Sequence, residues 1–387
     1  MNVFEKRKLK KQLKTLLHHA RTLRCSREDI MTSGELAFLD EHVRQAQAAY
    51  DGRDGADMEA AGQALDACLL KLNPPKPMAS WRENFDVLVV AISVAMAFRA
   101  YFYQPFKIPT GSMQPSLYGI HSEVRKPSDA TFLDQQPLKF AKWLVTGESF
   151  KVVRAKARGT VNIMPGDGSK KPGYRPVVVA GVPHYVPSDA IEEDAYRRPV
   201  GLKGGAANGA TVKAGDVLWS GVVISGDFVF VNRWKWNFAH PTRGEVMVFS
   251  TTGITALQQG THYIKRMTGL PGETLQIKAP DLLVNGSVVT SPERIGQIAR
   301  REKLWAKGPA YSGFNPSGSR QLFLPGLSLA DENDAVTLKG NQYYAMGDNS
   351  FNSFDSRYWG PVPERNLLGP ATVVYWPFTS PRLGWIR

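Results

Sequence analysis

Apolar residues recur at three- and four-residue spacing in the first part of the chain, which is the pattern of amphipathic helices. The spacing is clearest in GELAFLDEHVRQAQAAY and MEAAGQALDACLLKL, with Gly52 and Gly55 between them. This pattern predicts a helical region over residues 1–72, arranged as a small hairpin, and both cysteines lie within it, which suits a cytosolic location. The Pro-rich run NPPKP then opens a stiff linker over residues 73–84.

A strongly apolar segment follows at residues 85–103, and its central run VLVVAISVAMAF contains one hydroxyl and no charge. A helix of this length rises about 28 Å, close to the ~30 Å hydrocarbon core of a bilayer. Trp81, Tyr101 and Tyr103 provide aromatic side chains for the membrane interface. We therefore expect one transmembrane helix. The alternative is a buried helix of a soluble protein, whereas a cleaved signal peptide is disfavoured by the long polar stretch that precedes the segment.

Beyond the span, apolar and polar residues alternate in short runs, which is the period of half-buried β-strands. Five such runs are predicted as strands: GDFVFVNRWKW, EVMVFS, ETLQI, QYYAM and ATVVYW. In LLVNGSVV, the pair Asn285-Gly286 separates two β-rich runs and predicts a hairpin. The fold class we predict is mainly β: a curved antiparallel sheet or barrel, preceded by the helical region and one transmembrane helix.

Composition and charge narrow the possible functions. The 387 residues are 43% hydrophobic and 21% charged, which excludes global disorder. The net charge of +13 suggests nucleic acid or an anionic membrane as a partner. Residues 1–84 carry a net charge of only +2 (14 Lys+Arg and 12 Asp+Glu), and the remaining +11 is spread over residues 85–387 rather than collected in an arm, so we expect no nucleic-acid binding. Only Cys25 and Cys68 are present, which excludes a disulfide scaffold and a four-cysteine zinc site. We predict neither a metal nor a cofactor.

Three segments after the span carry residues suited to catalysis. Ser112 lies in a Pro-rich turn directly after Gly111, where a sharp backbone turn can expose its hydroxyl. Lys265 lies in the strand-like run YIKRM, where desolvation can lower the pKa of an amine from about 10.4 and make it a general base. The third segment, GDNSFNSFDSRYWGPVPERNLLGPA, is predicted to be an ordered, hydrogen-bonded loop. Taken singly, these segments also fit a turn after a span, a surface lysine and a connecting loop.

Together the segments resemble those of bacterial type I signal peptidases, the membrane-anchored Ser/Lys proteases that remove signal peptides from exported proteins. The resemblance covers Trp81–Leu117 and Gly226–Arg387, with FKIPTGSMQPSL, RGEVMVF, YIKRMTGLPGE and GDNSFNSFDSRYWGPVPERNLLG in that order after a single span. It implies a serine endopeptidase that cleaves at small-x-small sites. It also implies that residues 104–117 and 226–387 form the catalytic β domain, with a signal-peptidase-like curved sheet.

The resemblance further implies a role for each residue of the site. Ser112 is expected to be the nucleophile and Lys265 the general base. Thr110 is expected to stabilise the oxyanion together with the backbone N–H of Ser112, and Ser353 to orient the lysine ammonium.

A charged pair and three cleft residues complete this assignment. Asp355 and Arg357 are expected to brace the loop that holds the lysine. The substrate-binding residues are expected to be Ile108, Pro109 and Met113.

The resemblance also carries expectations about partners and localisation. The partners are precursor proteins that bear signal peptides and the lipids of the cytoplasmic membrane, with the secretion translocon as a further candidate. The chain is expected to cross the inner membrane once, with a cytosolic N-terminus and the catalytic domain on the extracytoplasmic side.

Residues 118–225 depart from this resemblance, because simple members of the family have a short connection there. The stretch is rich in Gly and Pro turns, and the rhythm of ATVKAGDVLWSG faintly resembles barrel-sandwich domains of the biotinyl-lipoyl type. No lysine lies in a convincing carrier hairpin. We interpret it as an inserted β module for docking or substrate selection, with an idle elaboration as the alternative.

Three alternative functions remain open at this point. The chain could be a catalytically inactive relative that serves as a membrane-anchored scaffold. It could be a self-cleaving regulator of the broader Ser/Lys class, although no DNA-binding motif is present. A third alternative keeps the protease but takes His262 as the base.

Overall fold

The structure is a computed structural model that describes residues 3–52, 54–74, 79–164, 171–194, 198–306, 308–319 and 326–386. Residues 75–78 of the expected linker lie outside this set. The chain divides into two compact units, residues 1–94 and 95–387, which are described in turn.

The first unit contains three N-terminal helices, α1 (Val3–Arg27), α2 (Ser33–Gly52) and α3 (Gly55–Leu72). Asp54 caps α3 by accepting a hydrogen bond from the backbone N–H of Ala56. The helices share one buried cluster, whose members include Leu13, Leu17, Leu39, Ala46, Met58 and Leu65. The prediction of a helical region is confirmed, but three helices form rather than a hairpin of two, because α1 also contributes apolar residues at helical spacing.

Helix α4 (Ala79–Tyr101) follows these helices. Among the described residues, its segment Trp81–Tyr101 is the one helical stretch long and apolar enough to cross a membrane, and its side chains are exposed. Compared with the expected span, the helix begins earlier and ends two residues sooner, because Tyr103 already belongs to the first strand. This helix fits a membrane-anchored protein.

The second unit is mainly β, as predicted. Its strands in chain order are β1 (Tyr103–Lys107), β2 (His121–Val124), β3 (Glu148–Arg154), β4 (Gly159–Ile163), β5 (Tyr174–Val179), β6 (Val182–Pro187), β7 (Ile191–Glu193), β8 (Pro199–Leu202), β9 (Thr211–Val212), β10 (Val217–Ile224), β11 (Phe228–Asn232), β12 (Val246–Ser250), β13 (His262–Gly269), β14 (Thr274–Lys278), β15 (Asp281–Val284), β16 (Ser287–Val288), β17 (Ala335–Thr337), β18 (Gln342–Met346), β19 (Val362–Pro363), β20 (Leu367–Trp376) and β21 (Gly384–Trp385). The helices of this unit are α5 (Leu138–Thr146), α6 (Lys235–Phe238), α7 (Glu293–Ala299) and α8 (Ser356–Trp359).

The largest sheet is a curved antiparallel sheet with the strand order β1-β11-β20-β12-β13-β18-β19, and β21 pairs with β20. Strand β12 lies near its middle and is buried on both faces. Val246 and Val248 belong to one hydrophobic cluster, while Met247 and Phe249 belong to another. Alternation along β12 explains this division, because successive side chains of a strand point to opposite faces.

A second sheet, in the order β16-β15-β14-β17, packs with α7 in a separate buried cluster. The predicted hairpin forms here between β15 and β16. Asn285 and Gly286 both adopt positive φ, +50° and +80°, as the two-residue turn requires.

The described residues of the stretch 118–225, called the module below, share a buried cluster of their own. Its sheets have the orders β2-β10-β3, β6-β5-β4-β9 and β7-β8. Trp219 is fully buried in this module. Helix α5 joins the module to the main sheet, because the indole N–H of Trp376 on β20 donates to the carbonyl of Leu144 at 2.7 Å.

Candidate active site

Ser112 lies in a short 3-10 turn, Gly111–Met113, a few residues after β1. The turn is tied to the loop after β18 by Asn349. Its backbone N–H donates to the carbonyl of Ser112 at 3.0 Å, and its Nδ2 donates to the carbonyl of Gly111 at 3.3 Å. Ser112 is only 5% exposed. The hydroxyl is therefore held in a fixed and largely dry position.

Lys265 lies on β13, opposite Met247 of β12, and is 4% exposed. Its Nζ donates a hydrogen bond to Oγ of Ser112 at 2.5 Å. Burial lowers the pKa of Lys265 to about 8, because the ammonium loses the water that stabilises its charge. The negative charge of Asp355 opposes this shift, and the positive charge of Arg357 adds to it.

The loop after β18 contains the predicted charged pair. Nε and Nη2 of Arg357 donate to the two carboxylate oxygens of Asp355, each at 2.8 Å, and both residues are fully buried. Asp355 also accepts from the backbone N–H of Gly347 at 2.9 Å, while Arg357 donates to the carbonyl of Ser350 at 2.8 Å. Burial alone would raise the pKa of Asp355, but the charge and hydrogen bonds of Arg357, with the Gly347 hydrogen bond and the charge of Lys265, together lower that pKa. The pair thus links the two ends of the loop.

A second buried ion pair was missed by the sequence reasoning. Nε and Nη2 of Arg266 donate to the carboxylate of Asp348 at 2.7 and 2.6 Å. Nη2 of Arg266 also donates to Oγ of Ser116 at 3.1 Å, and that hydroxyl lies 2.8 Å from the hydroxyl of Tyr311. A sequence signal existed: Arg266 follows Lys265 directly in a buried strand, so it points to the opposite face and needs a carboxylate partner.

Ser353 is buried beside the nucleophile turn. A Cβ built on Gly347 would lie 2.2 Å from Oγ of Ser353 and 2.5 Å from the carbonyl oxygen of Ser112, so only glycine permits this close approach. Oγ of Ser353 makes no hydrogen bond to any described residue. The expected bond from Lys265 to this hydroxyl is therefore not formed in this structure.

Thr110 immediately precedes the 3-10 turn and is exposed. Its side chain makes no capping hydrogen bond, so the hydroxyl is not used to cap the start of the turn. Ile108 and Met113, two of the expected substrate-binding residues, are buried in the main cluster with 2% and 0% exposure. Pro109, the third of these residues, lies between Ile108 and Thr110 in the chain and is half-buried.

His262, the alternative base, lies at the start of β13 and is exposed. Its ring packs edge-on against Phe106 of β1, with ring centroids 5.4 Å apart. Desolvation, with a smaller effect of Arg233, lowers the pKa of His262. The geometry pairs Ser112 with Lys265, and no hydrogen bond joins Ser112 to His262 within the described part of the chain.

Two further features bear on what the site can do. In the residues that the structure describes, no three His, Cys, Asp or Glu side chains group as metal ligands would. A cavity of 1190 Å³ lies nearby, but Ser116 and Arg266 line it while Ser112 and Lys265 do not. The cavity therefore belongs to the far side of β13 from the serine–lysine pair.

A buried serine hydrogen-bonded to a buried lysine is the arrangement of a Ser/Lys hydrolase site, in which the amine replaces the histidine of a triad. The family model described as signal peptidase, peptidase S26, matches residues 221–376.

Three relatives resemble this chain over similar lengths. A probable signal peptidase I-2 from Synechocystis sp. is 31% identical over 159 residues, which is 41% of this chain and 58% of that protein. Signal peptidase I from Pseudomonas aeruginosa is 31% identical over 188 residues, covering 41% of this chain and 61% of that protein. Signal peptidase I T from Bacillus subtilis is 30% identical over 158 residues, covering 41% of this chain and 68% of that protein.

The chain therefore belongs to the S26 signal peptidase family, as its sequence motifs predict. The aligned part spans 58% and 61% of the length of the first two relatives.

Proposed function

We propose that this chain is a membrane-anchored serine endopeptidase that removes N-terminal signal peptides from exported precursor proteins at small-x-small sites. The observation that carries this proposal is the 2.5 Å hydrogen bond between Lys265 and Ser112, both buried, in a member of the signal peptidase family. The similar proteins are named signal peptidase I, which supports the same reaction class.

In the proposed reaction, neutral Lys265 accepts the proton of Ser112 as the hydroxyl attacks the scissile carbonyl. The same proton then passes to the leaving amine, and water attacks the acyl-enzyme with Lys265 again acting as base. Because an amine has a single basic nitrogen, it needs no third residue to select a tautomer. Its pKa of about 8 provides a useful neutral fraction near neutral pH.

The oxyanion of the tetrahedral intermediate would lie at the turn that carries the nucleophile. The backbone N–H of Ser112 is in the first turn of a 3-10 segment, where N–H groups have no partner within the helix. The hydroxyl of Thr110 is exposed beside it and is not used as a cap. These two donors are our candidates for the oxyanion hole.

An extended substrate can add to two strand edges that flank the serine. Strand β1 is the last strand of its sheet, and the first half of β13 pairs with β12 alone. The contact between Phe106 and His262 brings these two edges together. Main-chain pairing would hold the peptide, and Ile108, Pro109 and Met113 would contribute to the floor of the cleft.

We propose the inner membrane as the location, with a cytosolic N-terminus and the catalytic domain on the extracytoplasmic side. Ser112 follows the end of α4 by only eleven residues, so it stays near the bilayer. A signal peptide presents its cleavage site just beyond its apolar region, and precursors in the membrane would therefore meet the site. Membrane lipids would surround α4, and the secretion translocon is a candidate partner that would deliver the precursors.

The module formed by residues 118–225 is proposed to dock partners or select substrates. A variant without residues 120–222 tests this. Altered cleavage among a panel of precursors is expected, whereas unchanged cleavage of every precursor would mean that the module does not select substrates.

The central experiment measures cleavage of a precursor with an Ala-x-Ala site by the full chain in detergent. Ser112→Ala and Lys265→Ala are expected to abolish cleavage, while the exposed controls Ser287→Ala and Lys278→Ala retain it. Absence of cleavage by the unsubstituted chain would favour the inactive-scaffold alternative, and cleavage that survives Ser112→Ala would exclude Ser112 as the nucleophile. Cleavage retained in Lys265→Ala but lost in His262→Ala would indicate that His262 is the general base. Cleavage of the chain itself, with precursors untouched, would favour the self-cleaving regulator.

A further inference from the structure

A row of aromatic rings runs from the last turns of α4 across the main sheet to α5. Successive ring centroids lie 4.2–6.4 Å apart. In order, the aromatic row consists of Phe98, Tyr103, Phe230, Tyr375, Phe228, Trp376, Trp143 and Phe140. Val229 and Val374, the neighbours of these residues on β11 and β20, point into the core, so Phe228, Phe230 and Tyr375 lie on the outer face of the sheet.

Helix α5 ends this row with an exposed apolar face. Phe140 and Leu144, one turn apart, are 59% and 48% exposed, and Val145 is 51% exposed. Phe132, in the segment just before the helix, is 70% exposed. The inner side of the helix is fixed by Trp143, whose indole N–H donates to Oγ of Ser225 at 3.1 Å. A contiguous apolar surface of this kind in a folded protein marks a protein or membrane contact.

A basic cavity of 310 Å³ opens beside this face, lined by Lys107, Lys139 and Lys151 together with Trp143 and Tyr174. Nζ of Lys139 donates to the carbonyl of Phe150 at 2.8 Å, and Nζ of Lys151 lies 3.3 Å from the hydroxyl of Tyr174. Within the described part of the chain, no carboxylate forms an ion pair with any of the three lysines.

The charges around the cavity are consistent with an anion site. Desolvation lowers the pKa of Lys107, and the charges of Lys151 and Lys171 lower it further. Burial raises the pKa of Tyr174 and the charge of Asp189 adds to this effect, but the carboxylate of Asp189 accepts from the backbone N–H and the hydroxyl of Ser122. Lys107, Lys139 and Lys151 line one cavity and form no ion pair with a carboxylate among the described residues, which favours a bound anion.

We propose that α5 forms a membrane-docking surface whose neighbouring lysine cavity receives the phosphate of an anionic lipid headgroup. A membrane explains the combination best, because the row starts in the helix that fits a membrane span and aromatic side chains favour the membrane interface. Lysines beside an apolar face suit the negative surface of a bilayer. The proposed docking surface belongs to the module and to its contact with the main sheet. Docking is independent of the catalytic activity.

The docking experiment places a polarity-sensitive fluorophore on a single cysteine at Leu144→Cys, in the full chain carrying Cys25→Ser and Cys68→Ala. The chain is reconstituted in phosphatidylcholine vesicles with and without phosphatidylglycerol, using brominated acyl chains as quenchers. Strong quenching and a blue shift are expected with phosphatidylglycerol. The matched label at Lys213→Cys lies beyond the far end of β10, whose eight residues span about 25 Å, and should stay unquenched.

The charge experiment compares Lys139→Gln/Lys151→Gln with a control pair of exposed lysines, Lys278→Gln/Lys339→Gln. Each lysine near an anionic surface changes binding about fivefold, so the first pair should weaken phosphatidylglycerol-dependent docking by about 25-fold. The control pair should leave it nearly unchanged. Thermal unfolding of each variant in detergent verifies that the fold is intact.

Three results would overturn the proposal. An unquenched label at position 144 in every vesicle would mean that α5 does not meet the bilayer. Quenching that is equal in both lipids and insensitive to the lysine substitutions would show that no anionic headgroup binds in the cavity. Competition by inorganic phosphate at a concentration equal to that of the phosphatidylglycerol would make the cavity a general phosphate site rather than a lipid site.

Discussion

The buried position of Lys265 predicts the pH dependence of the reaction. With a pKa of about 8, the neutral fraction of the amine is about 9% at pH 7, half at pH 8 and about 91% at pH 9. Only the neutral amine can accept the proton of Ser112. We therefore expect kcat/KM to rise about tenfold between pH 7 and pH 9 and then to level off.

The size of this effect follows from burial. A lysine at its ordinary pKa of 10.5 would be neutral in about one molecule in 3,000 at pH 7, so the shift increases the neutral fraction about 300-fold. This corresponds to about 3 kcal/mol of differential interaction between the two protonation states. The desolvation of the side chain by its surroundings is the largest cause.

The assay uses an internally quenched peptide with an Ala-x-Ala site, cleaved by the full chain in detergent over a range of pH. A second form of the enzyme tests whether the lysine itself titrates. In a background without Cys25 and Cys68, Lys265→Cys is alkylated to an aminoethyl thioether, whose amine is less basic because of the sulfur. Activity should return, with the acid limb of the profile moved to lower pH.

Two outcomes would refute this reasoning. The first is a profile that keeps rising in proportion to hydroxide up to the ordinary pKa of lysine, because the amine would then not be desolvated. The second is an acid limb that stays in place in the thioether enzyme, because another group would then be titrating. Unfolding of the chain at alkaline pH is monitored by fluorescence in the same samples.

Four further substitutions test other parts of the site. Thr110→Val should lower kcat by up to about 10²–10³-fold with little change in KM, as the loss of one oxyanion donor does, and less than the loss of the nucleophile; single-turnover rates measure it. Gly347→Ala should abolish cleavage without unfolding the chain, because the new methyl group lies 2.2 Å from the Ser353 hydroxyl, and activity equal to that of the native chain would contradict the packing. Asp348→Asn should lower the free energy of unfolding by about 3–5 kcal/mol, because its fully buried arginine partner loses its counter-charge; urea titration measures it. The pKa of Lys265 is lower in the folded chain, so the unfolded chain binds more protons between about pH 8 and 10.5, and stability rises with pH across that window. Lys265→Met should therefore raise Tm at pH 7, and the gain should disappear towards pH 10.5.

Local patterns in the sequence were sufficient for most of the fold. The runs predicted as strands appear as β11, β12, β14, β18 and β20, because short runs rich in β-branched and aromatic residues favour strands whether one face is buried or, as in β12, both. Asn285-Gly286 forms the predicted turn, because few other residue pairs tolerate positive φ at both positions. The first helix of the N-terminal region was not separated from its neighbours, because its charged residues obscure a narrow apolar stripe.

The candidate site was predictable only in part. Ser112 and Lys265 are 153 positions apart, and no local pattern relates them; only the ordered set of family motifs does. The sequence indicates that Arg266 needs a carboxylate partner, but the choice of Asp348 depends on the pairing of β13 with β18, which spacing along the chain does not encode. The lysine cavity beside α5 depends in the same way on contacts between the inserted module and the main sheet.

The charged pair in the loop has an electrostatic consequence for the base. An unpaired carboxylate near Lys265 would stabilise the ammonium, since an opposite charge within about 4–6 Å shifts a pKa by 1–3 units. Asp355 acts in this direction, but Arg357 acts against it. The bidentate pair therefore acts on the lysine with opposing charges, and desolvation is the largest influence on its protonation state. A buried ion pair is a costly way to hold a loop, because both charges lose water. Here Arg357 braces the loop and also opposes the tendency of Asp355 to keep Lys265 charged. The arginine therefore both holds the loop in position and helps the lysine to reach the neutral form that acts as a base.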